Sequence, residues 1–352
     1  MAKLFGFTFK NWDCHIVEKK NIWFSISLGI ILVGLILFFI FGFNVGIDFS
    51  GGTILNVTTG SLYTDASYDG LVAEVNKVLN ANGVNAEITQ KLSSDSAPGV
   101  SIRYQNVVNG KDATEDQMFE INNKIKAELE TKVGEYVKGY SNASANVVME
   151  SVKVNMSNVG ATASSELLLK AFLSIAVAAA LILVYVAIRF EILSGVAAVI
   201  ALIHDLLVMS AFMIIFRIQI NSSFVAALIK ILGYSINNTI VLFDRVRENE
   251  KGYLLRDASP TVLINTSVKD TLTRSINTTI TTLITIVLLA IFGLSQMREF
   301  AMPIIFGLLA GAYSSVFVAP CLWAWMKEKS LANKSAKKRT YKNLLEKETK
   351  SK

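Results

Sequence analysis

The chain has 352 residues, of which 52% are hydrophobic, yet it carries 34 basic and 28 acidic residues and a net charge of +6. A mean hydropathy of +0.45 excludes an ordinary soluble enzyme and predicts a membrane-embedded protein that also holds a water-exposed part. The two cysteines, Cys14 and Cys321, have neither disulfide nor zinc spacing, and the sequence predicts no metal site, no cofactor and no catalytic residue.

Six apolar stretches are long enough to cross a bilayer, which takes roughly 20 residues per helix. They lie at residues 22–43, 167–188, 193–216, 223–243, 276–294 and 301–326. The first is too long for the apolar part of a signal peptide, and no small-residue cleavage site follows it, so we interpret it as a permanent span. The sequence therefore predicts one helix, a polar insert at residues 44–166, and a five-helix bundle at residues 167–326.

The positions of the basic residues predict how the chain crosses the membrane. Residues 1–21, the link after the fourth span, and the tail at residues 327–352 are all rich in Lys and Arg. Because short cytoplasmic segments carry such an excess, we place these segments, and hence both termini, in the cytoplasm, and the net acidic insert on the outer side. For the tail, contact with anionic lipid is favoured over nucleic acid, which nothing in the tail specifies.

The insert alternates predicted strands with predicted amphipathic helices. Strands are expected at residues 53–59, 85–92, 100–106 and 147–154, and helices at residues 67–81 and 114–132, with Thr114 as a helix cap. This β-α-β-β-α-β order is that of the ferredoxin-like unit. The predicted fold is an α-helical integral membrane protein with six transmembrane helices and one extracytoplasmic α+β ferredoxin-like domain between helices 1 and 2. No nucleophile with a base occurs in the insert, so a binding or lever role is favoured.

Ionisable residues inside a bilayer are costly and are functional candidates by default. His204 and Asp205 lie midway along the third span, and Lys230 lies in the fourth. At 1.5 Å of rise per residue, Asp205 and Lys230 lie roughly 18 Å and 20 Å from the cytoplasmic face, so their levels agree. We predict an ion pair between them, which is either proton-responsive or a static packing contact.

Further polar residues follow in the fourth and fifth spans. Asn237 and Asn238 lie toward the cytoplasmic end of the fourth span, and Arg274 opens the fifth. Arg274 begins a polar stripe at helical spacing, which continues with Asn277, Thr278, Thr281, Thr282 and Thr285. Such a stripe either lines a hydrated path or hydrogen-bonds to neighbouring helices.

Several motifs resemble the SecD/SecF family of protein-export membrane proteins. Residues 46–53, GIDFSGGT, are similar to the family's GIDF-x-GG signature, with its marked positions at Gly46, Asp48, Gly51 and Gly52. Residues 233–249, GYSINNTIVLFDRVREN, resemble the family's GYSINDTIVVFDRIREN and include Asp244 and Arg245. Residues 201–205 and 271–275 are similar to family segments in the third span and at the start of the fifth. The motifs occur in order along nearly the whole chain.

The resemblance implies a membrane fold of the resistance-nodulation-division (RND) type in the bacterial plasma (inner) membrane. It implies a partner, SecD, with a pseudo-symmetric six-helix bundle, and joint action with SecD on the SecYEG channel. YajC, YidC, the lipid bilayer and the translocating preprotein are further expected partners. In the family, a proton or sodium motive force is held to drive domain movements that pull preprotein from the channel, without enzymatic catalysis. The alternatives are a scaffold subunit without ion coupling and half of an RND-type exporter of small molecules or lipids.

Two positions depart from the family pattern. Asn238 stands where the family has an aspartate that serves the proton path together with the arginine at position 274, and an amide does not titrate. Lys230 stands where the family has an uncharged residue. Three interpretations stay open: ion coupling has moved to Asp205 and Lys230 with His204 nearby, the aspartate of SecD suffices, or the chain is a scaffold. Helical geometry mildly favours the first, because positions 230 and 237 lie two turns apart on one face.

Overall fold

The structure is a computed structural model that describes residues 15–59, 68–92, 99–140, 152–252, 258–293 and 295–333. Within them, six helices are long and apolar enough to cross a membrane. In chain order the spans are Lys20–Phe41, Ala161–Arg189, Ile192–Ile215, Ser222–Lys251, Pro260–Phe292 and Ser295–Tyr313. The sixth span continues through a π-helical turn, Ser314–Val318, into a helix over residues 319–333.

The fourth and fifth spans are longer than hydropathy predicted. The fourth ends at Lys251, eight residues beyond the apolar stretch, and the fifth begins at Pro260 rather than at residue 276. Ser259 caps the fifth span by accepting a hydrogen bond from the N–H of Val262 at 3.3 Å. Hydropathy marks only the lipid-embedded part of a helix, so the polar turns that extend beyond it gave no signal.

The third, fourth and sixth spans form the centre of the bundle. At least half of the apolar window of each is buried, whereas the first, second and fifth spans are mostly exposed. Glycines allow close helix crossings: a Cβ at Gly311 would lie 3.2 Å from the Cβ of Ser235, and a Cβ at Gly34 would clash with Ala211. Small residues at these crossings bring the helix backbones together, as is common in membrane bundles.

The chain between the first and second spans forms a separate domain, which we call the outer domain after its predicted side, and this domain contains a four-stranded antiparallel sheet. Its strands are β1 (Gly52–Thr58), β2 (Ile88–Leu92), β3 (Gly99–Gln105) and β6 (Lys153–Val159), in the spatial order β2-β3-β1-β6. A separate hairpin joins β4 (Val107–Val108) to β5 (Lys111–Asp112). Helices Tyr68–Ala81 and Glu115–Tyr140 pack their apolar faces, through residues such as Val75 and Leu129, into the core of this domain.

Three predicted elements of the outer domain have boundaries that differ from the structure by more than two residues. The second strand begins at Ile88 instead of at residue 85. The last strand covers Lys153–Val159 instead of residues 147–154; of the predicted range, residues 147–151 lie outside the described part of the chain. β6 lies at the edge of the sheet, and Val154 is its one fully buried apolar residue. The alternation of buried and exposed residues that marks a strand is therefore weak in β6. The second helix continues to Tyr140, eight residues past its predicted end.

The predicted cap at Thr114 is confirmed. Thr114 Oγ1 accepts a hydrogen bond from the N–H of Gln117 at 3.4 Å, and Gln117 Oε1 accepts one from the N–H of Thr114 at 3.1 Å, which is a capping box. Inside the domain, the Tyr104 hydroxyl donates to Asn122 Oδ1 at 2.8 Å, and Asn122 Nδ2 donates to Thr53 Oγ1 at 3.0 Å. Burial raises the pKa of Tyr104, so its hydroxyl stays a hydrogen-bond donor.

Candidate functional site

The glycine-rich segment after the first span joins the outer domain to the bundle. Gly46 donates its N–H to the carbonyl of Ile220 at 2.9 Å. Asp48 Oδ2 accepts hydrogen bonds from the N–H of Ser222, at 2.9 Å, and from the Ser222 hydroxyl. Ser222 is the first residue of the fourth span, so the Asp48 carboxylate lies at a helix N-terminus, where negative charge is favourable. The four motif residues thus act in a structural junction.

The glycine pair of this junction has two different steric causes. Gly51 has a φ of +78°, a left-handed conformation that favours glycine. Gly52 opens β1, and a Cβ there would lie 2.6 Å from the carbonyl oxygen of Tyr104 and would also meet Ile47. A side chain at position 52 would therefore force β1 away from β3.

A buried ion pair also holds the outer domain on the bundle. Nη1 of Arg103, on β3, lies 2.9 Å from both carboxylate oxygens of Glu299, which is near the start of the sixth span. The side chains of Arg103 and Glu299 are 10% and 15% exposed. Asn221, the cap of the fourth span, donates from Nδ2 to Glu299 Oε2 at 2.8 Å. Sequence reasoning missed this contact, because two charged residues 196 positions apart leave no local pattern.

Replacing Glu299 with Gln is expected to destabilise the docking of the outer domain by about 3–5 kcal/mol, since it leaves the Arg103 guanidinium buried without its counter-charge. Thermal unfolding of the purified chain, with limited proteolysis of the outer domain, measures the effect. Arg103→Met combined with Glu299→Met is the control, because removing both charges is expected to recover most of the lost stability. If Glu299→Gln unfolds at the wild-type temperature and is cleaved at the wild-type rate, the ion pair contributes nothing to the docking of the outer domain.

A second polar site lies in the membrane bundle, and we call its members, Ser27, His204, Asp205, Ser235 and Ser314, the buried polar cluster. Each is at most 8% exposed. Asp205 Oδ2 accepts hydrogen bonds from the hydroxyls of Ser235 and Ser314, the latter at 2.8 Å. Asp205 Oδ1 lies 3.0 Å from His204 Nδ1, and His204 Nε2 lies 2.8 Å from Ser27 Oγ. The third, fourth and sixth spans therefore meet at the Asp205 carboxylate, and the first span is connected to it through Ser27 and His204.

A π-helical turn, an aromatic ring and a groove adjoin the buried polar cluster. Ser314 is the first residue of the π-helical turn in the sixth span, and such turns often occur at functional sites. The His204 ring stacks on Tyr313 with ring centroids 6.1 Å apart, and the Tyr313 hydroxyl donates to the Trp23 carbonyl at 2.8 Å. A mostly apolar groove of about 180 Å³ between the first, third and sixth spans reaches His204 and Ser27. The imidazole thus lies between this groove and the carboxylate.

The predicted ion pair between Asp205 and Lys230 is wrong. Lys230 is exposed, its Nζ lies 5.9 Å from the centroid of the Phe300 ring, and it forms no ion pair within the described part of the chain. The residue of the fourth span that faces Asp205 is Ser235. Ser235 follows Lys230 by five positions, which is about 140° around a helix of 3.6 residues per turn. The depths agreed, but the two side chains point to different sides of the fourth span.

Three other residues predicted for ion coupling, Asn237, Asn238 and Arg274, form no hydrogen bond to Asp205 in the described part of the chain. Asn238 is 4% exposed, and its Nδ2 has no hydrogen-bond partner among the described residues. Asn237 and Arg274 are exposed, and Arg274 has no hydrogen bond or ion pair in the described segments. The threonines of the fifth-span stripe donate to carbonyls of their own helix, for example Thr285 to Thr281 at 3.1 Å.

Asp244 and Arg245 belong to an ion-pair network at the other end of the bundle. Arg189 Nη2 lies 2.8 Å from Asp244 Oδ1 and connects the second span to the fourth. Arg245 Nη2 lies 2.8 Å from Asp270 Oδ2 and connects the fourth span to the fifth. Asp244 and Arg245 therefore hold helices together.

In the segments that the structure describes, no group of three His, Cys, Asp or Glu side chains is arranged to hold a metal ion.

Comparison with known proteins places these features in a family. The sequence profile described as protein export membrane protein SecD/SecF, C-terminal, matches residues 140–329, more than half of the chain. The protein translocase subunit SecF of Acidaminococcus fermentans is 33% identical over 89% of this chain and 97% of its own length. The subunit SecF of Sebaldella termitidis is 32% identical over 87% of this chain and 90% of its own length.

Longer proteins match as well. The protein translocase subunit SecDF of Bacillus subtilis is 32% identical over 93% of this chain, which spans only 40% of that protein. The crystal structure of SecDF from Thermus thermophilus, described as a translocon-associated membrane protein, superposes with a TM-score of 0.66 at 26% identity. That match covers 91% of this chain and 39% of the crystallised chain.

Proposed function

We propose that this chain, which belongs to the SecD/SecF family of protein-export membrane proteins, is a SecF subunit that works with SecD to assist preprotein translocation through SecYEG. The match to most of the length of two SecF subunits supports this role. The SecDF protein of Bacillus subtilis, matched over 40% of its length, supports a SecD partner for the rest of the assembly. YajC, YidC and the translocating preprotein are proposed as further partners, without nucleic acid.

The proposed location is the bacterial plasma membrane, with both termini in the cytoplasm. The basic N-terminal segment, fourth-to-fifth link and tail support this orientation. The N–H groups of Ile16 and Val17 donate to Asn265 Oδ1 at 3.2 and 3.3 Å, so the N-terminal segment lies beside the start of the fifth span. We assign the outward-facing domain to the ferredoxin-like class, for which the strand order β2-β3-β1-β6 is the support.

We propose that ion coupling in this subunit uses the buried polar cluster. The observation that carries this proposal is the Asp205 carboxylate, 1% exposed and bonded to His204, Ser235 and Ser314. A proton gained or lost there changes contacts to three spans at once. Asn238, which cannot titrate, instead favours a second candidate, a scaffold that relies on ion coupling in SecD.

The role as a SecF subunit is tested by expressing the chain, together with its own SecD, in bacteria depleted of their SecD and SecF. We expect preprotein processing to recover and the tagged chain to copurify with SecD and SecYEG from mild detergent. Membranes that hold normal amounts of both proteins, yet show neither recovery nor copurification, would contradict the proposal.

A further inference from the structure

One exposed face of the fourth span carries two polar residues, Lys230 and Asn237, together with two small ones. Ala226, Lys230, Gly233 and Asn237 are exposed and recur at spacings of four, three and four, which places them along one side of the helix. The exposed positions of the first and second spans carry large apolar residues instead, as expected of helices that face lipid. Lipid is therefore a poor match for this side of the fourth span.

Lys230 is the main reason for the mismatch. It lies eight residues inside the outer end of the fourth span, at a depth of about 12 Å for a rise of 1.5 Å per residue. Its ammonium lies 5.9 Å from the centroid of the Phe300 ring, and no hydrogen bond or ion pair accompanies that contact in the described part of the chain. A lysine inside a bilayer is costly unless it pairs or extends to the interface.

The neighbouring fifth span continues the polar surface. Its exposed positions include Arg274, Thr278, Thr281 and Thr285. The Tyr234 hydroxyl donates to Thr279 Oγ1 at 3.3 Å, which holds the two exposed strips on adjacent helices. Arg274 lies 18 residues from the outer end of its span, or about 27 Å, so the two cations differ in depth by about 15 Å.

We infer that the membrane helices of SecD cover this face, and that a carboxylate on one of them pairs with Lys230. The inference rests on the proposed function, which supplies SecD as the partner. Charge complementarity indicates which group of the partner meets Lys230: an exposed ammonium at this depth needs an aspartate or glutamate. That carboxylate is expected about 15 Å closer to the outer surface than the group that meets Arg274. Lys230 and Arg274 thus define two separate points of contact along one interface.

The test uses the full chain coexpressed with its SecD in membranes. SecD that copurifies with the tagged chain is quantified for wild type, Lys230→Glu and Lys230→Arg, with Lys170→Met as a control on the exposed side of the second span. The membranes are then treated with an apolar carbodiimide, which joins an amine to a neighbouring carboxylate as an amide. The water lost in this condensation is taken up by the carbodiimide, which becomes a urea. Linked peptides are identified by mass spectrometry.

We expect Lys230→Glu to lower copurifying SecD at least tenfold, and Lys230→Arg and Lys170→Met to leave it unchanged. A cross-link from Lys230 to an Asp or Glu in a SecD membrane helix is expected in wild type and absent from Lys230→Arg. Copurification of Lys230→Glu at the wild-type level, without a cross-link in wild type, would overturn the inference and show that Lys230 extends to lipid headgroups. If wild type itself does not copurify with SecD, the proposed partner has failed instead.

Discussion

An Asp205→Asn variant is expected to export preprotein at least about tenfold more slowly than wild type. This loss is smaller than the rate enhancement of roughly 10²–10⁴-fold that a positioned proton-transfer group typically supplies. The substitution keeps the volume of the side chain but removes the one carboxylate of the buried polar cluster. Export is measured as preprotein processing in cells depleted of their own SecF, at equal membrane abundance of each variant. Copurification with SecD is expected to stay at the wild-type level, because Asp205 is buried within this chain.

The control for Asp205→Asn is Glu166→Gln, which removes an exposed carboxylate of the second span that pairs with Lys170. We expect this control to export normally. Adding Asn238→Asp to Asp205→Asn then tests whether the family's usual position can take over the coupling, since the buried Asn238 is nearly isosteric with aspartate. Normal export by Asp205→Asn alone would exclude coupling at this cluster and favour a scaffold beside an ion-driven SecD.

The elements of this fold could be predicted from sequence where the signal is long or periodic. Six apolar stretches of about 20 residues predicted six helices, and alternation predicted β1 and β3 to within one residue. Edge strand β6 lacked that alternation, since most of its side chains are not buried. The polar ends of the fourth and fifth spans lie outside the apolar stretches and were missed because hydropathy marks only the lipid-embedded part of a helix.

The site was predicted only in part, because depth along a helix follows from counting residues whereas the direction of a side chain depends on how helices pack. Counting placed Asp205 and Lys230 at one level, but packing turned Ser235 toward Asp205 and left Lys230 exposed. Ser27 and Ser314 were not singled out, since a single serine in an apolar span is common. Their role follows only from the meeting of the first and sixth spans with the third.

A Gly52→Ala variant is expected to destabilise the outer domain by about 1–3 kcal/mol, the usual cost of extra volume in a packed core. The added methyl group would meet the Tyr104 carbonyl, which belongs to a paired β-strand and cannot rotate away as a flexible side chain could. Thermal unfolding of the full chain, with amide hydrogen exchange in β1 and β3, measures the loss. We expect faster exchange in both strands, because Gly52 pairs with Gln105 in their register.

The matched control is Gly134→Ala, the same substitution in the long helix of the same domain. A Cβ at Gly134 meets nothing within 4 Å, and alanine in a helix interior is favoured over glycine by about 0.5–1 kcal/mol. The two variants are therefore expected to shift stability in opposite directions, although both lower the entropy of the unfolded chain equally. A loss of stability in both variants would mean that alanine is harmful for reasons unrelated to the junction. If Gly52→Ala loses no stability, β1 and β3 separate easily enough to accept the added methyl group. Only opposite signs locate the need for glycine in the close approach of these strands, where the outer domain joins the membrane bundle.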